Sequence, residues 1–379
     1  MIVLAGARVV LPDRVLRPGW VRIEADRIAE VGAGLPPAGS RALELTGRWL
    51  VPGFVDIHAH GGGGATYTDG DACDARAVAR FHRRHGVTSA VASLVTAPPA
   101  EMERATAALA DLVDEGVLAG IHLEGPFLST AHCGAHDPAL LRTPDPTELT
   151  RLLRAGRGAV RQVTLAPELP GALDLVRRIV DACAVAAVGH TDATYRQARA
   201  AFAAGATLAT HLFNGMPPLH HREPGPVGAA FDDERVTVEL INDGIHLHDA
   251  ILRTTFTHAP GRVALVTDAM AAAGMGPGDY RLGSRMVRVE DGVARLADGS
   301  SIAGSTLTMD SAVWRAVKRA GVPLVHAIRA AATTPAGSLG LELVGVIAKG
   351  KRADLVVLGE DLTVDAVMAR GTWEDGQAP

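Results

Sequence analysis

The stretch 54-FVDIHAHGGGG-64 decides how this chain folds. Its first half is a short apolar run of the kind that forms a buried strand, and on an extended strand side chains two apart project to the same side, so His58 and His60 leave its end together. Four more such runs carry a potential metal ligand at their ends: 119-AGIHLEGP-126 with Glu124, 184-AVAAVGH-190 with His190, 208-LATHLFN-214 with His211 and 263-VALVTDAM-270 with Asp268. A His or carboxylate directly behind a run of Val, Ile, Leu and Ala stands at the carboxyl end of a strand. In a parallel barrel that end carries the chemistry.

Three further runs, 88-TSAVASLVT-96, 160-VRQVTLAPE-168 and 236-VTVELIND-243, complete a series of eight. Helical patterns over 74–85, 100–114, 172–183 and 193–205 alternate with them. Eight strand-then-helix repeats predict an α/β chain with a (β/α)8 TIM-like barrel rather than an open sheet. The doubly wound alternative needs a Gly-rich phosphate turn after its first strand; here the glycines follow two histidines and do not fit that fingerprint. The ends read differently: 1-MIVLAGARVVLPD-13, 19-GWVRIEADRIAEVG-32, 344-VGVIAKGKRADLVVLG-359 and 364-VDAVMARGTWEDG-376 alternate apolar and polar residues, as half-buried strands do. We therefore expect a small β-sandwich domain from residues 1–51 and 344–379, and a catalytic barrel over 52–343. A hairpin, 285-RMVRVEDGVARL-296 with a DG turn, follows the last barrel strand.

The 379 residues are 47% hydrophobic and 21% charged, enough for one large core and a smaller one. A formal net charge of -5 leaves no basic footprint for nucleic acid. No apolar run approaches the roughly 20 residues that span a bilayer, and the N-terminus does not read as a signal peptide. Cys73, Cys133 and Cys183 cannot all pair and match no zinc knuckle, which reads as reduced thiols in a cytoplasmic enzyme. His58, His60, Glu124, His190, His211 and Asp268 supply enough ligands for two divalent ions about 3.5–4 Å apart, with Glu124 as the bridge. Water bound there would become a hydroxide nucleophile near neutral pH, and Asp268 could take its proton and deliver it to a leaving group. Such ligands suit zinc foremost, and also iron, cobalt or manganese.

A barrel flanked by a two-ended β unit, with H-x-H, two later His and a final Asp, resembles the amidohydrolase superfamily. The chain has only three lysines, Lys318, Lys349 and Lys351, all beyond the eighth strand, so the carboxylated lysine of many members has no counterpart. The segments 122-HLEGPFLS-129, 188-VGHTDATY-195, 210-THLFNGMPPLHHREPGPVGAA-230, 239-ELINDGIHLH-248 and 302-IAGSTLTMD-310 resemble one family within it, the N-acetylglucosamine-6-phosphate deacetylases. The resemblance implies deacetylation of N-acetyl-D-glucosamine 6-phosphate with Asp268 as general base and acid, one or two metal ions, and a homodimer. It implies that Arg222 clamps the phosphate, that His246, in the segment Asp243, Gly244, Ile245, His246, makes a second phosphate or sugar contact, and that Asn214 and Gly215 offer amide groups. Ile302, Ala303 and Gly304 would wall the sugar. Ala135 and His136 lie on a loop that reaches the substrate, and His136 reads either as a polar contact, possible across a dimer interface, or as a rim residue. Alternatives are the galactosamine epimer, deamination of a nucleobase, or a scaffold without chemistry. The last would be expected to have lost ligands, and aromatic residues for stacking a purine make up only 4% of the chain.

Overall fold

The computed structural model describes residues 1–38, 42–376 and 378–379. Eight parallel strands form the barrel: β1 (Phe54–Ala59), β2 (Val87–Leu94), β3 (Gly120–Glu124), β4 (Val160–Leu165), β5 (Val185–Val188), β6 (Leu208–Ala209), β7 (Thr237–Ile241) and β8 (Val263–Val266). They pair in sequence order from β1 to β8. The ladder is closed by single contacts: Asp268 N–H donates to His58 O at 2.8 Å, and Thr267 Oγ1 donates to Asp56 Oδ2 at 2.6 Å. Both faces of the strands are covered, and β1, β2 and β3 are buried at every position. That burial explains why they read as continuous apolar runs rather than alternating ones.

The helices start and stop where local chemistry dictates. The helix Tyr195–Ala204 begins at a capping box, in which Thr194 and Gln197 each satisfy the other's backbone N–H, and ends at Gly205 with φ 119°. Ala72–Arg84 is capped by the Asp71 side chain, which accepts from Cys73 and Asp74 N–H. Pro99–Asp114 and Ala172–Asp181 complete the four helices expected from the sequence.

The strands of both termini join in one sheet, in which Trp49–Pro52 pairs with Leu355–Leu358. The sheet curls back on itself: Ala353 N–H donates to Asp26 O and Ile28 N–H to Lys351 O, beside strand Arg27–Ala33. It encloses its own core, including Leu4, Val21, Ile23, Leu50, Leu355 and Met368. The expected hairpin is present as Arg285–Glu290 with Val293–Leu296, and Gly278–Leu282 adds a third strand. This small sheet packs Leu282, Val287 and Leu296 in a cluster with Val95, Met270 and Ala303 at the mouth of the barrel. None of the three cysteines is in a disulfide. Among the described residues no helix is long and apolar enough to cross a membrane.

Candidate metal centre and substrate cavity

All six sequence-predicted ligands converge at the carboxyl end of the barrel, and none is more than 7% exposed. They fall into two triads, His58 with His60 and Asp268, and Glu124 with His190 and His211; within each, one ligand atom per residue lies within 4.8 Å of the others. Glu124 joins them. Its Oε1 is 3.1 Å from His190 Nε2, 3.2 Å from His211 Nε2 and 3.4 Å from His58 Nε2, while Oε2 is 3.1 Å from His60 Nε2. Asp268 Oδ1 lies 3.2 Å from His60 Nε2.

The backbone that presents these groups is unusual. His190, His211 and Asp268 adopt φ of 47°, 28° and 47°, a left-handed conformation that costs of order 1–3 kcal/mol per non-glycine residue and clusters at functional sites. Tight packing holds it in place: Asp268 is tied through its N–H to His58 O and through its carbonyl to Ser305 N–H, and His190 O accepts from Ser129 N–H. Gly215, itself at φ 60°, brings its backbone against the His190 ring, where a Cβ would come within 3.0 Å of Nδ1.

Below the ligands the barrel interior is polar where such barrels are usually filled by branched aliphatics. Ser93 Oγ meets His122 Nδ1 at 3.0 Å, His122 Nε2 meets Thr164 Oγ1 at 2.8 Å, and Gln162 Nε2 donates to Glu239 Oε1 at 2.9 Å. Rear nitrogens are held as well: His60 Nδ1 to Ser93 O at 3.1 Å and His190 Nδ1 to His132 O at 2.9 Å. Each ring thereby turns Nε2 toward the common centre. There His190 Nε2 and His211 Nε2 face each other at 3.0 Å, and His58 Nε2 and His60 Nε2 at 3.3 Å. Lone pairs so close repel unless protons or cations lie among them, and the donor set fits divalent cations.

The electrostatics agree. Burial alone would raise the Glu124 carboxyl, but the His58 and His190 imidazoles and the His136 hydrogen bond hold it well below the usual carboxylate range. Burial would likewise raise Asp268, yet His58 and His60 bring it to about 2. His60 is pushed up to about 9, because Asp268 and Glu124 outweigh its burial. The same carboxylates that draw protons to these imidazoles would draw cations, so protons and metal compete for the site.

A cavity of about 240 Å³ opens over this cluster. Of the predicted substrate residues it is lined by Ala135, His136, Asn214, Gly215, His246, Ile302 and Gly304. His136 is no rim residue: it is 5% exposed, with Nε2 3.3 Å from Glu124 Oε2 of the same chain. Thr96 N–H donates to its Nδ1, so Nε2 carries the proton, and burial pulls the ring down to about 4. It is a neutral donor aimed into the site. Asp243 does not line the cavity but orients His246, accepting from its Nδ1 at 2.6 Å and from its backbone N–H at 2.8 Å. Gly244 and Ile245 lie outside; Ile245 is 40% exposed, and a Cβ on Gly244 would collide with Arg315. Ala303 points away into the hairpin cluster, because strand-like alternation sends its neighbours Ile302 and Gly304 to the cavity instead. Arg222 is also outside: it is exposed, with Nη1 2.9 Å from His221 Nε2. Val95, Ile241, Leu282 and Ser301 line the cavity without having been picked from the sequence.

The model of the amidohydrolase family matches residues 49–373, from the strand that joins the termini to the end of the terminal sheet. The chain belongs to the amidohydrolase family. Among amidohydrolase relatives, N-acetylgalactosamine-6-phosphate deacetylase of Escherichia coli O157:H7 is 39% identical over 360 residues, covering 93% of this chain and 95% of the relative. N-acetylglucosamine-6-phosphate deacetylase of Vibrio furnissii is 38% identical over 328 residues, covering 85% and 82%. An aspartate-to-alanine variant of the Mycobacterium smegmatis N-acetyl-D-glucosamine-6-phosphate deacetylase, solved with N-acetyl-D-glucosamine-6-phosphate, superposes with a TM-score of 0.96 at 50% identity, each chain covered to 98%. Within the amidohydrolases this chain therefore belongs with the N-acetylglucosamine-6-phosphate deacetylases.

Proposed function

We propose that this amidohydrolase removes the acetyl group of N-acetyl-D-glucosamine 6-phosphate, giving acetate and D-glucosamine 6-phosphate. One observation carries the reading: two ligand triads joined by Glu124 lie under a cavity that also presents Asp268 and His246. Bound there, a divalent cation supplies the Lewis acidity that polarises an amide carbonyl and lowers the pKa of water. The residues of the chain do the rest. Asp268, anionic at neutral pH, takes a proton from the attacking water and returns it to the amine nitrogen as the C–O bond forms and the C–N bond breaks. His136 offers Nε2–H to the oxygen that gains charge. His246, braced by Asp243, gives the phosphate a cationic partner; Arg222 would join it by movement of its exposed loop or from a second copy.

Two ions, zinc first among the candidates, fit six ligands and one bridge better than a single ion does. We also propose a cytoplasmic homodimer, with a terminal domain of 1–51 and 344–379 around the catalytic barrel of 52–343. The galactosamine epimer is a second reading, supported by the Escherichia coli relative's name. Acetate release from both phosphosugars and from unphosphorylated N-acetylglucosamine tests the assignment. Release from the phosphorylated glucosamine derivative far above the other two supports it, and none from either phosphosugar would refute it. In Arg222→Ala the KM for the phosphosugar should rise about tenfold, equivalent to about 1.4 kcal/mol.

A further inference from the structure

Among the described residues, three of the four candidate ligand imidazoles have a partner for Nδ1, and only that of His58 is a carboxylate. Its Nδ1 lies 3.0 Å from Glu239 Oε2, and both side chains are fully buried. Glu239 stands in the middle of β7, far from solvent, and is not among the six ligands. Its other contacts reach the turn after β6 and strand β4: Oε2 accepts from His211 N–H at 3.2 Å, and Oε1 accepts from Gln162 Nε2 at 2.9 Å. His60 and His190, by contrast, rest on backbone carbonyls, which hold a ring in place without adding a carboxylate's charge. A carboxylate behind a ligating imidazole fixes the tautomer, orients the ring and makes the front nitrogen a stronger donor.

We infer that Glu239 is a positioning residue that sets the cation affinity of the His58, His60 and Asp268 triad by holding His58 with Nδ1 protonated and by lending it a carboxylate's charge, which makes the Nε2 presented to the ion a stronger donor. The inference rests on the two-ion reading above. It also explains a buried acid set between Val238 and Leu240: an uncompensated carboxylate there is costly, and its hydrogen bonds to His58, His211 and Gln162 make it tolerable.

Glu239→Gln tests this with little change of shape. Gln162 Oε1 is buried without a partner among the described residues, so the Gln162 amide can rotate and receive the new side-chain N–H. Metal-stripped protein is titrated with Zn2+ and bound metal is counted, with His60→Gln as the reference for a damaged first triad. Wild type should take two ions; in Glu239→Gln one of them should bind about 10–100-fold more weakly while the other stays within about threefold, as in His60→Gln. Adding Glu239→Gln to His60→Gln should leave the remaining ion's affinity unchanged. Thermal melting of the metal-free variants checks that the fold survives. Two ions bound with wild-type affinity in Glu239→Gln, or equal weakening of both ions, would overturn the inference. A wild type that takes only one ion would instead remove the two-ion reading, and this inference with it.

Discussion

The two halves of the candidate metal centre are built on different scaffolds. His58 and His60 leave an extended strand, and what steadies them comes from the barrel wall, Glu239 for one and Ser93 O for the other. His190 and His211 sit in left-handed turns after β5 and β6. His190 leans on a loop carbonyl at His132, and His211 Nδ1 is buried with no partner among the described residues. The first half is thus braced from the barrel wall, and His190 of the second by loop backbone. Damage to the core should reach the first half, and damage to the 129–136 loop should reach the second.

Glu124 belongs to both, so its loss should abolish the contrast. In Glu124→Gln both ions should bind more than ~100-fold more weakly, with acetate release lost alongside, as metal analysis and turnover together will report. Asp268→Asn comes next. It removes the proton carrier and should lower kcat by about 10³-fold, while the Glu124, His190 and His211 triad keeps its ion. Retention of more than a tenth of the wild-type rate would place the base elsewhere.

A smaller effect separates the halves directly. Gly134 has φ 58°, and a Cβ there would lie 3.1 Å from His190 Cε1. Gly134→Ala should cost about 1 kcal/mol in thermal or denaturant stability and weaken the second ion, leaving the first untouched. Smallest is a pH effect outside both halves. Burial pulls His246 down, but the hydrogen bond and charge of Asp243 outweigh it and leave the imidazole above its usual 6.5. A raised histidine keeps its cationic form, and the stability that form contributes, below the unfolded pKa, and loses both as pH rises through the folded value. KM for the phosphosugar should therefore increase as pH climbs past that point. In Asp243→Asn the increase should begin at lower pH.

Much of this was legible in the sequence. The convergence of the six candidate ligands could be anticipated because each closes an apolar run, and a strand's carboxyl end leaves a His or Asp little to do but face the site. Glu239 offered a signal that went unused: a carboxylate inside 236-VTVELIND-243, a strand buried on both faces, needs a partner, though the sequence does not say which. Leu282 and Ser301 were not legible, because alternation announces a hairpin without saying what it covers. Ala303 shows the converse, since a motif names three neighbours and the backbone can turn only alternate ones inward. For Arg222 the motif pointed to phosphate, whereas the loop that carries it leaves the side chain in solvent.

The most direct test of the central claim is to strip the protein of metal, add divalent ions back, and follow bound metal and acetate release from N-acetylglucosamine 6-phosphate together. The two-triad account predicts that activity climbs until the second ion is bound. Full activity at one ion per chain, or acetate release from metal-free protein, would contradict it.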